Sequence, residues 1–390
     1  MSTEGCSASS SARTRRKSRR SGQGSPTVNL TTRGGVRRAS TRSTPIFSYA
    51  ALIHRATASC DTGRITNLPP DSSAISSACS RSGQQAIHSK CPAFVVASWS
   101  DHGLHSRGTL EAFKKIASKE KWLRVHGRKK WQDFYQNVER RRQFFDRFLK
   151  GMDTEVRFWP RVSLEIRERF FVGNFRAEDE WPLDRTQYTK LFLNAADEKL
   201  SESPFERQSQ IRYNVNDIND KSQRAQFDFQ FGKKTELTGH MKLKLWVQAD
   251  GSDDMDLFVA IEKIDRTGDI VPFQFFGNHE DGPVALGWLR VSHRELDEGQ
   301  SADYQPFLKH HREIKLDPGE IVPVEIEILP SSTLFERGEK LRLVVQGSDI
   351  YAYPQEYHSD GHTETVNRGE HVIHTGGDYD AHLLVPVIPG

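Results

Sequence analysis

The 390 residues are 36% hydrophobic and 27% charged, enough for two domains with a packed core, and no run of about 18 apolar residues is present to form a transmembrane helix. Charge is unevenly spread: residues 1–90 carry 14 Lys and Arg against three acids, a net of +11, so with a total of +3 the remaining 300 residues carry −8. An acidic folded part excludes a domain built to hold nucleic-acid phosphates, which needs clustered Lys and Arg on an ordered surface.

Residues 1–90 are rich in Ser, Arg, Gly and Thr, with too little apolar periodicity to offset the entropy of ordering, and are expected to be a disordered tail. Within them the basic block Arg13–Arg20 is compatible with an import or nucleic-acid patch, and the Arg/Ser richness with a mitochondrial transit peptide; a solvated tail is the plainer reading. Three of the four cysteines (Cys6, Cys60 and Cys79) lie there, the fourth is Cys91, and no CxxC pair occurs. Neither a disulfide framework nor a zinc site is expected, and the chain is placed in the cytoplasm.

Order is predicted from Pro92. The apolar run Ala93–Ala97 reads as a strand buried on both faces of a parallel sheet, and Leu110, Phe113 and Ile116 predict a helix over 108–118. A second strand follows over 122–126. Trp131, Phe134, Tyr135, Val138, Phe145, Phe148 and Leu149 then repeat at helical spacing, predicting one long amphipathic helix that ends at Gly151. This β-α-β-α order makes 91–155 the end of an α/β domain whose sheet lacks neighbours, so pairing with another chain, including a homo-oligomer, is expected.

After Gly151 the period changes to two. Strands are predicted over 162–166, 188–194, 225–231, 241–249, 256–264, 285–293, 321–328, 340–346 and 381–387, separated by turn residues. Leu243, Leu245 and Val247 share one face, as do Leu257, Val259 and Ile261, and the turn residues Asp250-Gly251-Ser252 suggest that the two stretches pair as a hairpin. So many strands without intervening helices give a mainly β fold class: a jelly-roll β-sandwich over 156–390, preceded by the α/β remnant and the tail.

Ordered motifs run through this region: TELTG, LWV, SDDMDLFV, GWLRVSHR and, near the C-terminus, VNRGEHVIHTGGDYDAHLLVPVIP. Together they resemble the C-terminal part of the X-Pro dipeptidyl-peptidase and cocaine-esterase family of serine hydrolases, from about Pro92 to Gly390. The resemblance implies a galactose-binding-like jelly roll after an α/β-hydrolase domain, and acyl transfer at a peptide or ester carbonyl with no cofactor. It also carries two catalytic positions over. Asp101, in Trp99-Ser100-Asp101 after the first strand, stands at the catalytic acid, and His126, at the end of the second strand, at the catalytic histidine; His102 and His105 compete for the latter role. The 25 residues between Asp101 and His126 fit one crossover helix.

A triad also needs a nucleophile elbow, Gly-x-Ser-x-Gly, and none occurs; Gly5-Cys6-Ser7-Ala8-Ser9 lacks the second glycine. The expected function is therefore that of an incomplete hydrolase, inactive alone, with a non-catalytic module binding carbohydrate or a protein partner as the alternative. Asp253, Asp254 and Asp256 lack the Gly and Glu of an EF-hand loop and read as an exposed turn. His371 and His374, three apart on a strand, fall on opposite faces; His358 and His362 sit in loop-like sequence. Arg290 and Arg294 suit an interdomain surface or a solvated face, and Trp181, Trp246 and Trp288 a sugar platform or, more often, core packing. No metal is expected.

Overall fold

The structure, a computed structural model, describes residues 88–390 apart from 103–104, 217–219, 221–222, 276–278, 352–361 and 363. The tail expected over 1–90 therefore lies outside the described residues except for its last three. Residues 93–178 fold as β1 (Ala93–Ser98), α1 (Ser106–Lys115), β2 (Lys121–His126), α2 (Lys130–Gln136), α3 (Val138–Lys150), a 3-10 turn at Glu155–Phe158, β3 (Val162–Arg169) and β4 (Val172–Glu178). Strands β1, β2 and β3 run parallel, and β4 returns antiparallel to β3. One face of this sheet packs Trp99, Leu123, Val125, Val162 and Leu164 on Leu110 and Phe113 of α1, and the other packs Trp122 on Phe144 and Val156. Each such buried side chain contributes about 1.5–3 kcal/mol. The left-handed Gly151 (φ +68) closes α3, its N–H donating to Arg147 O.

The remaining chain supplies β5 (Gln187–Asn194), β6 (Lys199–Ser201), β7 (Ser209–Asn214), β8 (Ala225–Gln230), β9 (Thr235–Asp250), β10 (Asp256–Ile264), β11 (Ile270–Val271), β12 (Phe273–Phe275), β13 (His279–Gly282), β14 (Ala285–Arg290), β15 (Val322–Phe335), β16 (Lys340–Gln346), β17 (Glu370–Thr375) and β18 (His382–Ile388). The main sheet runs β1-β2-β3-β15-β14-β10-β16-β8-β6-β5-β18-β9-β17-β7, and β15 also pairs with β9. That second pairing closes nine strands, from β15 round to β9, into a barrel-like ring. Its interior is one large apolar cluster including Phe227, Met241, Leu243, Leu245, Val259, Ile261, Leu343 and Leu383. The fold is mainly β, as expected.

Four expectations need correction. The stretches 241–249 and 256–264 are strands, but they are not a hairpin: β9 pairs with β15, β17 and β18, whereas β10 pairs with β11, β14 and β16. Their odd-numbered faces do meet, across the barrel interior rather than side by side. Strand β10 is buried on both faces, because Phe258 and Ala260 join an outer cluster with Phe275, Leu286, Val344 and Ile350. Strand β1 is only half-buried over Ala93–Val96, since among the described residues it pairs with β2 alone. The single long helix is two, broken at Asn137, and most of its apolar stripe faces outward.

Candidate functional site

Parallel pairing sets Ser98 beside His126 and lets the Trp99 N–H donate to His126 O at 2.8 Å. Asp101 and His126 therefore follow the carboxyl ends of neighbouring parallel strands, the edge at which α/β sheets carry their sites. Asp101 is half-buried, and its carbonyl accepts the N–H groups of His105 (3.2 Å) and Ser106 (3.1 Å) at the start of α1.

The His126 imidazole is only 2% exposed. Its Nδ1 accepts the Arg128 N–H at 3.1 Å, which leaves the ring proton on Nε2, facing Asp133 Oδ2 at 3.6 Å. Burial lowers its pKa, while the carboxylate of Asp133 pulls the other way. Asp133 is held by Asn137 Nδ2 at 2.9 Å and Arg124 Nη2 at 3.4 Å. Nearby, Glu165 accepts from the Gly127 N–H (2.8 Å) and pairs with Arg128 (2.6 Å). The structure thus brings His126 to a carboxylate that the sequence reading did not single out. The signal for Asp133 was only its place one helical turn into α2; Glu165 and Arg167 alternate along β3 in a pattern that ordinarily marks a solvated face.

Arg167 joins this cluster to the barrel. Fully buried, it donates through Nη2 to Val284 O (2.9 Å), Ser331 Oγ (2.7 Å) and Thr333 Oγ1 (3.4 Å), and through Nε to Ser332 O (3.3 Å). Burial pushes its pKa down to about 9 against the pull of Glu165. Gly127 makes room for it, since a Cβ there would stand 2.5 Å from Arg167 Cδ. His102 is buried beside this guanidinium, and desolvation, then Arg167, push its pKa down to about 3; His105 caps α1. Neither stands in for His126 next to Asp133.

Residues 157–384 match the family described as the X-Pro dipeptidyl-peptidase C-terminal non-catalytic domain, more than half of the chain. The chain belongs to that family. Among solved structures, this member of the X-Pro dipeptidyl-peptidase family is similar to a CocE/NonD family hydrolase from Staphylococcus aureus, with a TM-score of 0.74 and 47% identity over 77% of this chain and 55% of that one. An α-amino acid ester hydrolase shares the fold at 13% identity and a TM-score of 0.55, over 81% of this chain and 58% of that one. Two proteins described as serine esterases, from Mycobacterium bovis and Mycobacterium tuberculosis, are 25% identical over 239 residues, 53% of this chain and 35% of theirs. The chain thus spans about a third of the length of these curated relatives and about half that of the solved ones.

In this family member the remaining candidate residues serve the fold. Asp254 and Asp256 are buried, not in an exposed turn: Asp254 accepts from the N–H groups of Met255 and Ser292 (both 2.9 Å) and from Lys315 (3.0 Å), and Asp256 holds Arg290 in a two-point pair at 2.7 and 2.8 Å. Arg294 is turned onto the carbonyls of Val291 and Ile314. His371 donates to Asn367 Oδ1 at 3.0 Å and accepts from the Tyr213 hydroxyl at 3.1 Å, while His374 meets Gln248 Oε1 at 3.0 Å on the opposite face. His362 pairs with Asp349 at 3.0 Å, which raises its pKa against the cost of burial; His358 lies outside the described residues. Trp181 is buried against Trp99, Trp246 donates to Asp380 at 3.0 Å, and Trp288 packs on the outer cluster. Among the described residues no group of three or more His, Cys, Asp or Glu is placed to hold a metal ion, and no helix is long and apolar enough to cross a membrane.

Proposed function

We propose that this chain is the C-terminal portion of a serine hydrolase that cleaves peptide or ester acyl bonds, contributing Asp101 and His126 to the catalytic centre and the closed β-sheet as its non-catalytic domain. The observation that carries the reading is the placement of both residues after neighbouring parallel strands, in a chain whose following residues match the family. In such a centre Nε2 of His126 takes the proton of the attacking serine while Nδ1–H is held by the Asp101 carboxylate, which requires the imidazole to leave the tautomer and the Arg128 and Asp133 contacts it has here and turn toward Asp101. The close approach of Asp133 to Nε2 is then a resting contact that a nucleophile would replace. We read residues 91–155 as α/β-hydrolase sequence whose sheet runs on into β3 and β4, the ring over 156–390 as a galactose-binding-like jelly roll, and the cytoplasm as its place of work.

Turnover needs a serine elbow, and the sequence has no Gly-x-Ser-x-Gly, so the chain is expected to be inactive alone. A fluorophosphonate probe tests this directly: covalent labelling of the purified chain would contradict it. The roles of Asp101 and His126 are tested by adding the part of the staphylococcal hydrolase that lies outside the matched region. Ester turnover that appears in the isolated complex and drops about a thousandfold or more in Asp101→Asn or His126→Gln supports the assignment, and turnover indifferent to both substitutions overturns it.

A further inference from the structure

Two histidines away from the catalytic positions face each other in the segment between β14 and β15. His293 ends the 3-10 turn Val291–His293, and His310 lies on the chain as it returns. Backbone hydrogen bonds fix their approach from both sides: Lys309 N–H donates to Glu295 O at 2.9 Å and Ile314 N–H to Ser292 O at 2.7 Å, and Leu296 bridges to Leu308. His310 is also left-handed (φ +51) without being glycine. That conformation costs about 1–2 kcal/mol and recurs where a site needs it.

The two Nδ1 atoms are 3.4 Å apart and the ring centres 5.2 Å apart. A straight N–H···N bond of that length, with about 1.15 Å from each ring centre to its nitrogen, would hold the centres about 5.7 Å apart. Two imidazoles on one tetrahedral zinc ion, each bonded at about 2.05 Å, have nitrogens about 3.3–3.4 Å and centres about 5.2 Å apart. Both observed distances match the second geometry. We infer that His293 and His310 form a two-imidazole clip for a divalent transition-metal cation, zinc by its tetrahedral angle. The donors are nitrogen alone, because the Glu295 carboxylate is taken by Lys309 (3.0 Å) and Arg312 (2.9 Å), and such a set selects against calcium and magnesium. Two protein ligands are fewer than the three or four of a permanent zinc centre, so the ion is exchangeable. The clip closes a segment that braces α1. Within it, Gln305 Nε2 donates to Glu111 Oε1 of α1 (3.0 Å) and to Glu327 Oε1 of β15 (2.9 Å), and Gln305 Oε1 accepts from Lys114 Nζ (2.9 Å).

Calorimetric titration of zinc into the full chain, washed with chelator and with its four cysteines replaced by serine, tests the clip. The tightest site should take one ion per chain, persist in excess magnesium, and weaken about tenfold or more in His293→Ala and in His310→Gly. Zinc should raise the unfolding midpoint of the parent chain and leave those of the two variants unchanged. His310→Gly relieves the left-handed backbone, so its metal-free midpoint should equal or exceed that of the parent, which separates loss of the ion from loss of the fold. Absence of a one-ion site, a site as tight in either variant, or displacement of zinc by magnesium would overturn the inference.

Discussion

Replacing Arg167 by alanine probes the junction between the parallel sheet and the ring. Strand β3 meets β15 at a single backbone register, Thr333 opposite Arg167, and the buried guanidinium is a polar tie there beside Lys263, whose Nζ donates to Glu168 O and Leu334 O. Removal of the guanidinium strands two carbonyls, Val284 O and Ser332 O, at about 1–3 kcal/mol each; the hydroxyls of Ser331 and Thr333, 3.2 Å apart, satisfy one another. Loss of the stacking on Phe273 at 4.5 Å adds about 1 kcal/mol. Against this, a cation no longer has to be desolvated, so the net destabilisation is expected to be about 3 kcal/mol, a fall in Tm of about 4–5 °C for a protein of this size. Arg167→Lys keeps the charge without the fork and should recover less than half of the loss. Calorimetry decides: a midpoint for Arg167→Ala within about 1 °C of wild type, or above it, would refute the argument that unmet acceptors outweigh desolvation.

Acid should unfold the protein early. His102, His240 and His371 are buried with pKa values pushed down to about 3, so the unfolded chain takes up their protons first; their stability is complete above about pH 6.5 and drains as the pH falls toward 3, by up to about 1.4 kcal/mol per unit for each. His362, whose pKa is raised beside Asp349, works in the opposite sense, adding stability below about pH 6.5 that is lost as the pH rises through its folded value. Unfolding free energies from urea titrations at pH 7.5 and 5 should therefore differ by several kcal/mol, and a flat profile would count against the buried neutral histidines. Gly127→Ala forces a Cβ onto the pinned Arg167 side chain and should cost about 1–3 kcal/mol, lost in the Arg167→Ala background; equal cost in both backgrounds rejects the contact. Leu245→Asp places an unpaired charge in the barrel interior and should abolish the cooperative transition, whereas Leu245→Ala should cost about 2–5 kcal/mol; a folded Leu245→Asp protein would place that face outside the core.

Much of the fold could be read from period alone. The alternation of Leu243, Leu245 and Val247 announces a strand with one buried face because a one-residue slip would turn all three to solvent. Alternation says which face is buried and is silent on which strand lies alongside, and for that reason β9 and β10 look like a hairpin in sequence while facing each other across the interior. The same limit applies to the stripe on α2 and α3: helical spacing marks an apolar face without saying that the protein's own core receives it. That Asp101 and His126 would stand at the ends of two successive strands was legible in the sequence, while their catalytic assignment rests on the family resemblance. Asp133, Glu165 and Arg167 were not legible, since a charged residue buried by a network of partners has the same local sequence as one in water.

The closure of the ring by β18 bears on how the chain is made. His382 pairs with Phe192, 190 residues earlier, and Leu383 with Leu243, so this strand joins β5 to β9 only after the residues between them have left the ribosome. Until then β5 and β9 each present an open edge flanked by apolar side chains, and contacts this distant in sequence form slowly. Folding during synthesis can advance through the parallel strands and α1, then must wait. The nascent ring is the stage at which chaperone capture or misassembly with a neighbouring chain competes with completion, and lowering the rate of initiation should raise the yield of native protein more than slowing elongation does.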